Sequence, residues 1–130
     1  MEDYYDHDDL GLYCAFIKSV TIDYSEKIIR IEYAKAVDDK YKEYNELEIR
    51  ISNIRYANCE SNLEDEEVPE FYRSAIVTNP KQYKLEKEEK LFYFGVDWGA
   101  KYLHWHIIGK SYEIVKNKGP IKEEDLNWVK

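Results

Sequence analysis

Apolar and polar residues alternate with a period of two along most of this chain, which is typical of half-buried β-strands. The clearest segment is ELEIRISNIRY at residues 46–56, in which Leu47, Ile49 and Ile51 fall on one face. The intervening residues of its first half are charged. The pattern therefore predicts a strand with one face in a core and the other in water.

The two ends of the chain predict further strands that are joined by short turns. Residues 18–24 and 27–33 form a predicted hairpin, and residues 91–98, 102–109 and 111–116 form three consecutive strands. The apolar faces of these segments consist of Val20, Ile22, Tyr24, Ile29, Ile31, Tyr33, Phe92, Phe94, Val96, Trp98, Leu103, Trp105 and Ile107. We expect one core, which includes Ile22, Ile49, Phe94, Trp98 and Trp105.

The middle and the extreme C-terminus are less regular. Residues 58–69 predict an acidic loop, and residues 70–78 fit either a short helix or a strand. Residues 81–90 predict a solvated charged connection. Residues 123–130 predict a short helical turn with Trp128 docked on the domain.

The fold class that follows is all-β, or a β-rich α+β fold. About seven strands without alternating helices favour an antiparallel sheet or sandwich, with one or two short helical segments. A sandwich is favoured over a closed barrel. Residues 1–10 predict a flexible acidic arm, and residues 11–130 predict a single β-rich domain, as the length of 130 residues indicates.

Composition indicates a cytoplasmic protein. No apolar run approaches the roughly 20 residues of a membrane span, and the N-terminus MEDYYDHDD is acidic where a secretory signal is basic. Cys14 and Cys59 fit this compartment as reduced thiols. No cofactor is expected.

Charge divides the chain into an acidic and a mildly basic part. Residues 1–70 hold 19 of the 27 acids and 8 of the 19 bases, and the whole chain carries a net charge of −8. Binding to nucleic acid or to an anionic membrane requires clustered basic residues, so neither is expected. A basic protein is the expected partner, for example a nuclease toxin or a nucleic-acid-binding protein.

An acidic run at residues 60–70 is the strongest candidate for the partner surface, although it also fits a loop that only keeps the protein soluble. Tyrosine is frequent at interface hot spots, and tyrosines flank this run. The candidate partner-binding residues are Glu60, Glu64, Asp65, Glu66, Glu67, Glu70, Tyr56 and Tyr72.

His104 and His106 are the residues most suggestive of a metal site, because two histidines at i and i+2 on a strand share a face. A third ligand is missing nearby in sequence: Glu113 is seven residues downstream, and His7 lies on the predicted arm. The alternative is two imidazoles on the wetter face of a strand. We favour that alternative and expect no bound metal.

Sequence motifs of catalysis are not found in the chain. It contains no Gly-rich phosphate loop, no Gly-x-Ser-x-Gly elbow and no Ser-His-Asp order. Asp6, His7, Asp8 and Asp9 have ligand-type side chains, but they belong to the predicted solvated arm. The sequence therefore predicts a protein that is not an enzyme.

Residues 15–33, AFIKSVTIDYSEKIIRIEY, resemble the opening of small β-rich immunity proteins of bacterial polymorphic toxin systems. Those proteins often begin with an Ile-x-x-Val-x-Ile-Asp strand, a turn and a return strand, and residues 47–56 resemble their next element. Their Leu-His-Asp lead-in is replaced here by Leu12, Tyr13 and Cys14. The resemblance implies a non-enzymatic inhibitor that neutralises a toxin.

Other functions stay open at this point. A phage-encoded inhibitor that mimics the charge of nucleic acid would use the same acidic surface. A structural or assembly subunit would pair its exposed strand edges with copies of itself. A metal-binding β-domain enzyme would be centred on His104 and His106.

Overall fold

A computed structural model gives an all-β fold in which two sheets form a sandwich. It describes residues 3–37, 40, 42–64, 72–73, 77, 80–98 and 100–126, with the backbone alone at residues 72, 73, 97 and 98. The strands are β1 (Tyr4–Tyr5), β2 (Ala15–Asp23), β3 (Ile28–Ala36), β4 (Glu43–Ser52), β5 (Tyr56–Ser61), β6 (Tyr72–Arg73), β7 (Lys90–Trp98), β8 (Lys101–Gly109) and β9 (Ser111–Lys122).

The first sheet has the order β1-β7-β8-β5, and the second has the order β6-β2-β3-β4-β9. Neighbouring strands are antiparallel, except that β1 runs parallel to β7. Strands β1 and β6 have two residues each, and the other seven have between 6 and 12. The predicted antiparallel sandwich of about seven strands is confirmed.

The core lies between the sheets and consists of the apolar faces that the alternation predicts. Ile49 and Phe94 are fully buried, and Ile22 and Trp105 are partly buried against the same cluster. The side chain of Trp98 lies outside the described residues. Tyr24 was expected on the apolar face, but it is 82% exposed because β2 ends at Asp23 and Tyr24 begins the turn.

The N-terminal residues pack on the domain, so the prediction of a flexible arm over residues 1–10 is wrong for residues 3–10. The ring of Tyr5 lies 5.4 Å from that of Phe92, and Leu10 is fully buried. The carboxylate of Asp6 accepts the N–H groups of Asp8 and Asp9 at 2.9 and 3.0 Å. Such local acceptor bonds stabilise a turn, and this turn directs Leu10 into the core.

Residues 53–55 take the chain from one sheet to the other. The strand predicted over residues 46–56 therefore ends at Ser52, and β5 then pairs with β8 in the four-stranded sheet. Asn53 adopts a left-handed conformation with φ of 56°, which breaks the strand. Because β5 continues to Ser61, the acidic loop expected from residue 58 begins later than predicted.

Two uncertain segments have a defined structure in part. Within residues 70–78, Tyr72 and Arg73 form β6 and pair with Ile17 and Phe16 of β2, so a strand is correct at these two positions. Glu123–Asp125 form the expected short helical turn, as a 3-10 helix. Trp128 lies outside the described residues.

Candidate functional site

The outer face of β5 carries two of the residues predicted to bind a partner. Tyr56 and Glu60 lie on the face opposite Ala57, which packs against the core. Tyr56 is 37% exposed, and Glu60 is half-buried. Glu64 follows the end of the strand and is exposed. The structure thus places these three residues along one edge of the four-stranded sheet.

The other predicted partner-binding residues are not brought to this edge within the described residues. Tyr72 belongs to β6, which is an edge strand of the five-stranded sheet and pairs with β2. The remaining acids lie outside the described residues: Asp65, Glu66, Glu67 and Glu70.

His104 and His106 lie on the outer face of β8, on either side of the core-packed Trp105, as the alternation predicts. Their cross-strand neighbours on β5 are Glu60 and Asn58, respectively. The expectation that both imidazoles lie on a wet face is wrong for His106, which is only 2% exposed.

A segment that we call the strap, residues 80–84, covers His106. The Lys81 N–H donates to His106 Nε2 at 3.4 Å, and the Tyr83 ring lies 5.7 Å from the imidazole. Tyr83 also packs against Tyr56 at 5.4 Å, and its N–H donates to the Tyr4 hydroxyl at 3.2 Å. The strap therefore shields a polar sheet face from water.

Lys81 also forms an ion pair with Glu60. The charge of Glu60 is thereby compensated inside the molecule, so Glu60 contributes little to a charged partner surface. The sequence predicted only a solvated connection at residues 81–90. Tyr83, an aromatic residue within that charged stretch, was the signal that part of it packs on the sheet.

Burial lowers the pKa of His106, and the nearby His104 and Lys81 lower it further by charge repulsion. His106 Nδ1 is buried and makes no hydrogen bond within the described part of the chain. The covered site therefore favours the neutral imidazole. Tyr83, Tyr56, Tyr93 and Glu60 are the other titratable groups around it.

We expect acid to loosen the strap. Displacing the strap relieves the burial that lowers the pKa of His106, so this pKa rises towards its ordinary value of 6.5, whereas the covered form titrates lower. The covered form binds fewer protons, so its stability is complete above about pH 6.5 and falls progressively below that value. Amide hydrogen exchange at Lys81 and Tyr83, followed from about pH 7.5 to pH 5.5, measures this loss after correction for intrinsic exchange.

The matched control is His106→Gln, which fills a similar position without titrating in this range. Strap protection in this variant should not depend on pH. If wild-type protection is equally independent of pH, His106 does not control the strap.

A metal site at His104 and His106 requires at least a third ligand. Glu60 is the cross-strand neighbour of His104 but is engaged in its ion pair. His7 is buried in the N-terminal turn beside Asp8, and Glu113 lies on β9 in the other sheet. Across the described ranges, no three His, Cys, Asp or Glu side chains form a group that could hold a metal ion.

Comparison with known proteins gives no relative for this chain: no family model, no curated protein and no solved structure matches it. Among the residues that the structure describes, no helix has the length and apolar character needed to cross a membrane. Cys14 and Cys59 are both free thiols.

Proposed function

We propose that this chain is a non-enzymatic inhibitor of the immunity-protein type, which binds a basic protein. The proposed binding surface is the acidic run of residues 60–70, which we call the acidic end of β5. The observation that carries the proposal is that Glu64, the first acid after β5, is exposed. β5 is an edge strand of the four-stranded sheet.

Electrostatics gives the acidic end a role in association. The chain has a net charge of −8, and six acids fall within residues 60–70. A concentrated field of one sign steers an oppositely charged partner and raises the association rate by about 10- to 1,000-fold. Glu60 contributes less than its neighbours, since Lys81 neutralises it.

Tyrosine supplies the short-range contacts in this proposal. Tyr56 is partly exposed on the outer face of β5, and Tyr83 packs against it. Tyr102 lies on the neighbouring strand β8 and packs against His104, with ring centroids 4.9 Å apart and planes tilted by 35°. An amphipathic aromatic surface beside an acidic segment suits a partner that presents lysine or arginine among apolar residues.

The test is the rate at which a basic partner associates with a neutralised variant. The product of the gene adjacent to the one encoding this chain is the first partner to examine, since the proposal is of a toxin inhibitor. The variant replaces four acids with serine: Glu64, Asp65, Glu66 and Glu67. We expect association to slow by about tenfold or more while dissociation changes little.

The control variant removes the same number of charges elsewhere by replacing Glu113, Glu123, Glu124 and Asp125 with serine. These acids are exposed and lie on or after β9, in the other sheet. Their loss should leave the association rate close to that of the wild type. Equal slowing by both variants would mean that net charge, and not the acidic end of β5, drives binding.

Salt provides an independent measurement. Raising the ionic strength from about 0.01 M to 0.15 M shortens the screening length from about 30 Å to 8 Å. Association of the wild type should slow markedly, and association of the neutralised variant should slow much less. An association rate that ignores both salt and the substitutions would refute the proposed mode of binding.

A further inference from the structure

A cleft of about 440 Å³ lies at one end of the sandwich, where several strand connections meet. Its size is within the range of small-molecule pockets. It lies beside the residues that precede β5, whereas the acidic run follows β5, and no sequence motif predicts it. The lining residues are Lys27, Asn53, Ile54, Arg55, Glu86, Glu89 and Lys110.

An ion pair between the partly exposed Arg55 and the buried Glu89 forms part of the wall of this cleft. Glu89 is only 3% exposed, so residues 81–90 are not the fully solvated connection that was expected. Its carboxylate accepts bonds from Arg55 Nε at 2.7 Å and Arg55 Nη2 at 2.9 Å, and from the Glu86 N–H at 2.8 Å. These bonds hold the pKa of Glu89 below its usual value, with Arg55 the main cause.

The remaining lining charges are Lys27, Lys110 and Glu86, because Arg55 and Glu89 compensate each other. The cleft therefore carries one net positive charge on a protein whose total is −8. Arg55 is 43% exposed, and its Nη1 group makes no hydrogen bond to the described residues. Lys27, Arg55 and Lys110 come from three different connections and thus line one concave surface with hydrogen-bond donors.

The backbone fixes the two lysines relative to each other. The Ile54 N–H donates to the Lys27 carbonyl at 3.0 Å, and the Lys110 N–H donates to the Ser52 carbonyl at 3.0 Å. The Arg55 N–H donates to the Ile108 carbonyl at 2.9 Å. The β2–β3 and β8–β9 turns are therefore both hydrogen-bonded to residues 52–55, where the chain passes from one sheet to the other. A ligand would meet a site whose backbone is already ordered.

The backbone of Lys27 adopts a conformation that is uncommon for lysine. Its φ is 56°, in the left-handed region that glycine and asparagine adopt at lower cost. Strain of this kind at a non-glycine residue is often retained where the side chain has a task. At the rim of this cleft, the task that a lysine can perform is to hold an anion.

We propose that the cleft binds a small molecule that presents a phosphate or carboxylate group, with Lys27, Lys110 and Arg55 as the anion-holding residues. Lysine ammonium groups bind such oxyanions as point charges, and the guanidinium of Arg55 adds directional donors. Glu86 would repel a ligand with several anionic groups, so the site favours a compact anion. This site is independent of the proposed inhibitor function.

An NMR titration tests the proposal with inorganic phosphate, acetate and chloride at constant ionic strength. We expect saturable shifts of the Lys27, Ile54 and Lys110 amides with phosphate or acetate and only linear changes with chloride. Stronger binding of phosphate assigns a phosphate ligand, and stronger binding of acetate assigns a carboxylate. If neither anion gives saturable shifts at these amides, the cleft is not an anion site.

The double variant Lys27→Gln and Lys110→Gln should weaken binding at least tenfold. Its matched control is Lys116→Gln and Lys118→Gln, which removes two exposed lysines from β9 and should leave binding unchanged. Unaltered affinity in the first variant, or equal weakening in both, would overturn the assignment of Lys27 and Lys110.

Lys27→Asn separates the binding role from a structural one. Asparagine tolerates the left-handed conformation, so the melting temperature should rise by a few degrees while anion affinity falls. A purely structural role for Lys27 predicts a change in melting temperature without any change in affinity, and that result would contradict the proposal.

Discussion

Phe94→Ala is expected to lower the free energy of unfolding by about 3–5 kcal/mol, a large share of the stability of a small domain. Phe94 is fully buried on β7, and its ring stacks on Trp105 with centroids 6.4 Å apart and planes inclined by 16°. Phe94 is paired with Trp105 of β8, and Leu91 and Phe92 of the same strand are also paired with β1, so the backbone of β7 cannot collapse into the cavity. Urea unfolding measured by far-UV circular dichroism gives the change directly.

Two comparison variants show whether the loss comes from burial. Trp105→Ala removes a larger ring that is only partly buried, so we expect a loss at the lower end of the same range, about 3 kcal/mol. Tyr24→Ala removes an aromatic ring that is 82% exposed and should change stability by no more than about 0.5 kcal/mol. Similar losses in Tyr24→Ala and Phe94→Ala would mean that the sheet faces are assigned wrongly.

The buried face of each strand was predictable because the alternation of apolar and polar residues within a single strand identifies it. Ile29, Ile31, Ile49 and Phe94 all occupy the core positions that their spacing predicts. This signal needs only local sequence, since a shift of one residue would expose every apolar side chain of a strand. Sheet order and strand partners depend on contacts between distant residues, and alternation does not encode them.

The N-terminal segment shows where composition misleads. Residues 1–10 contain five acids, a composition that predicts an arm, yet Leu10 lies in the core and Tyr5 packs against it. The acids form part of the turn itself, because Asp6 accepts backbone N–H groups. A short segment can be acidic overall and still supply the one or two apolar side chains that anchor it.

The candidate sites were only partly predictable for a related reason. The sequence placed His104 and His106 on one face of a strand, but the burial of His106 depends on a strap more than 20 residues away in the chain. The anion cleft combines Lys27, Arg55 and Lys110 from three separate connections. Their proximity follows from the sandwich topology and not from any spacing along the chain.

Gly95→Ala is expected to lower the free energy of unfolding by about 3 kcal/mol, although it adds only one methyl group. A Cβ atom at Gly95 would lie 2.0 Å from the carbonyl oxygen of Leu103 on β8. The obstacle is backbone, so no side-chain rotation relieves it. Strands β7 and β8 must separate at the pair formed by Gly95 and His104, and thermal or urea unfolding should report the cost.

Gly11→Ala is the matched control, because it places the same methyl group on a strained backbone without a clash. Gly11 has φ of 72°, and a Cβ atom there would have no neighbour closer than 3.9 Å. The free energy of unfolding of Gly11→Ala should therefore fall only by the cost of placing alanine in a left-handed conformation, about 1 kcal/mol. The additional loss of unfolding free energy in Gly95→Ala, relative to Gly11→Ala, measures the cost of the clash between β7 and β8. Separation at this pair should also perturb the amide signals of His104 and His106, whereas equal losses and unchanged signals would contradict the close approach of β7 and β8.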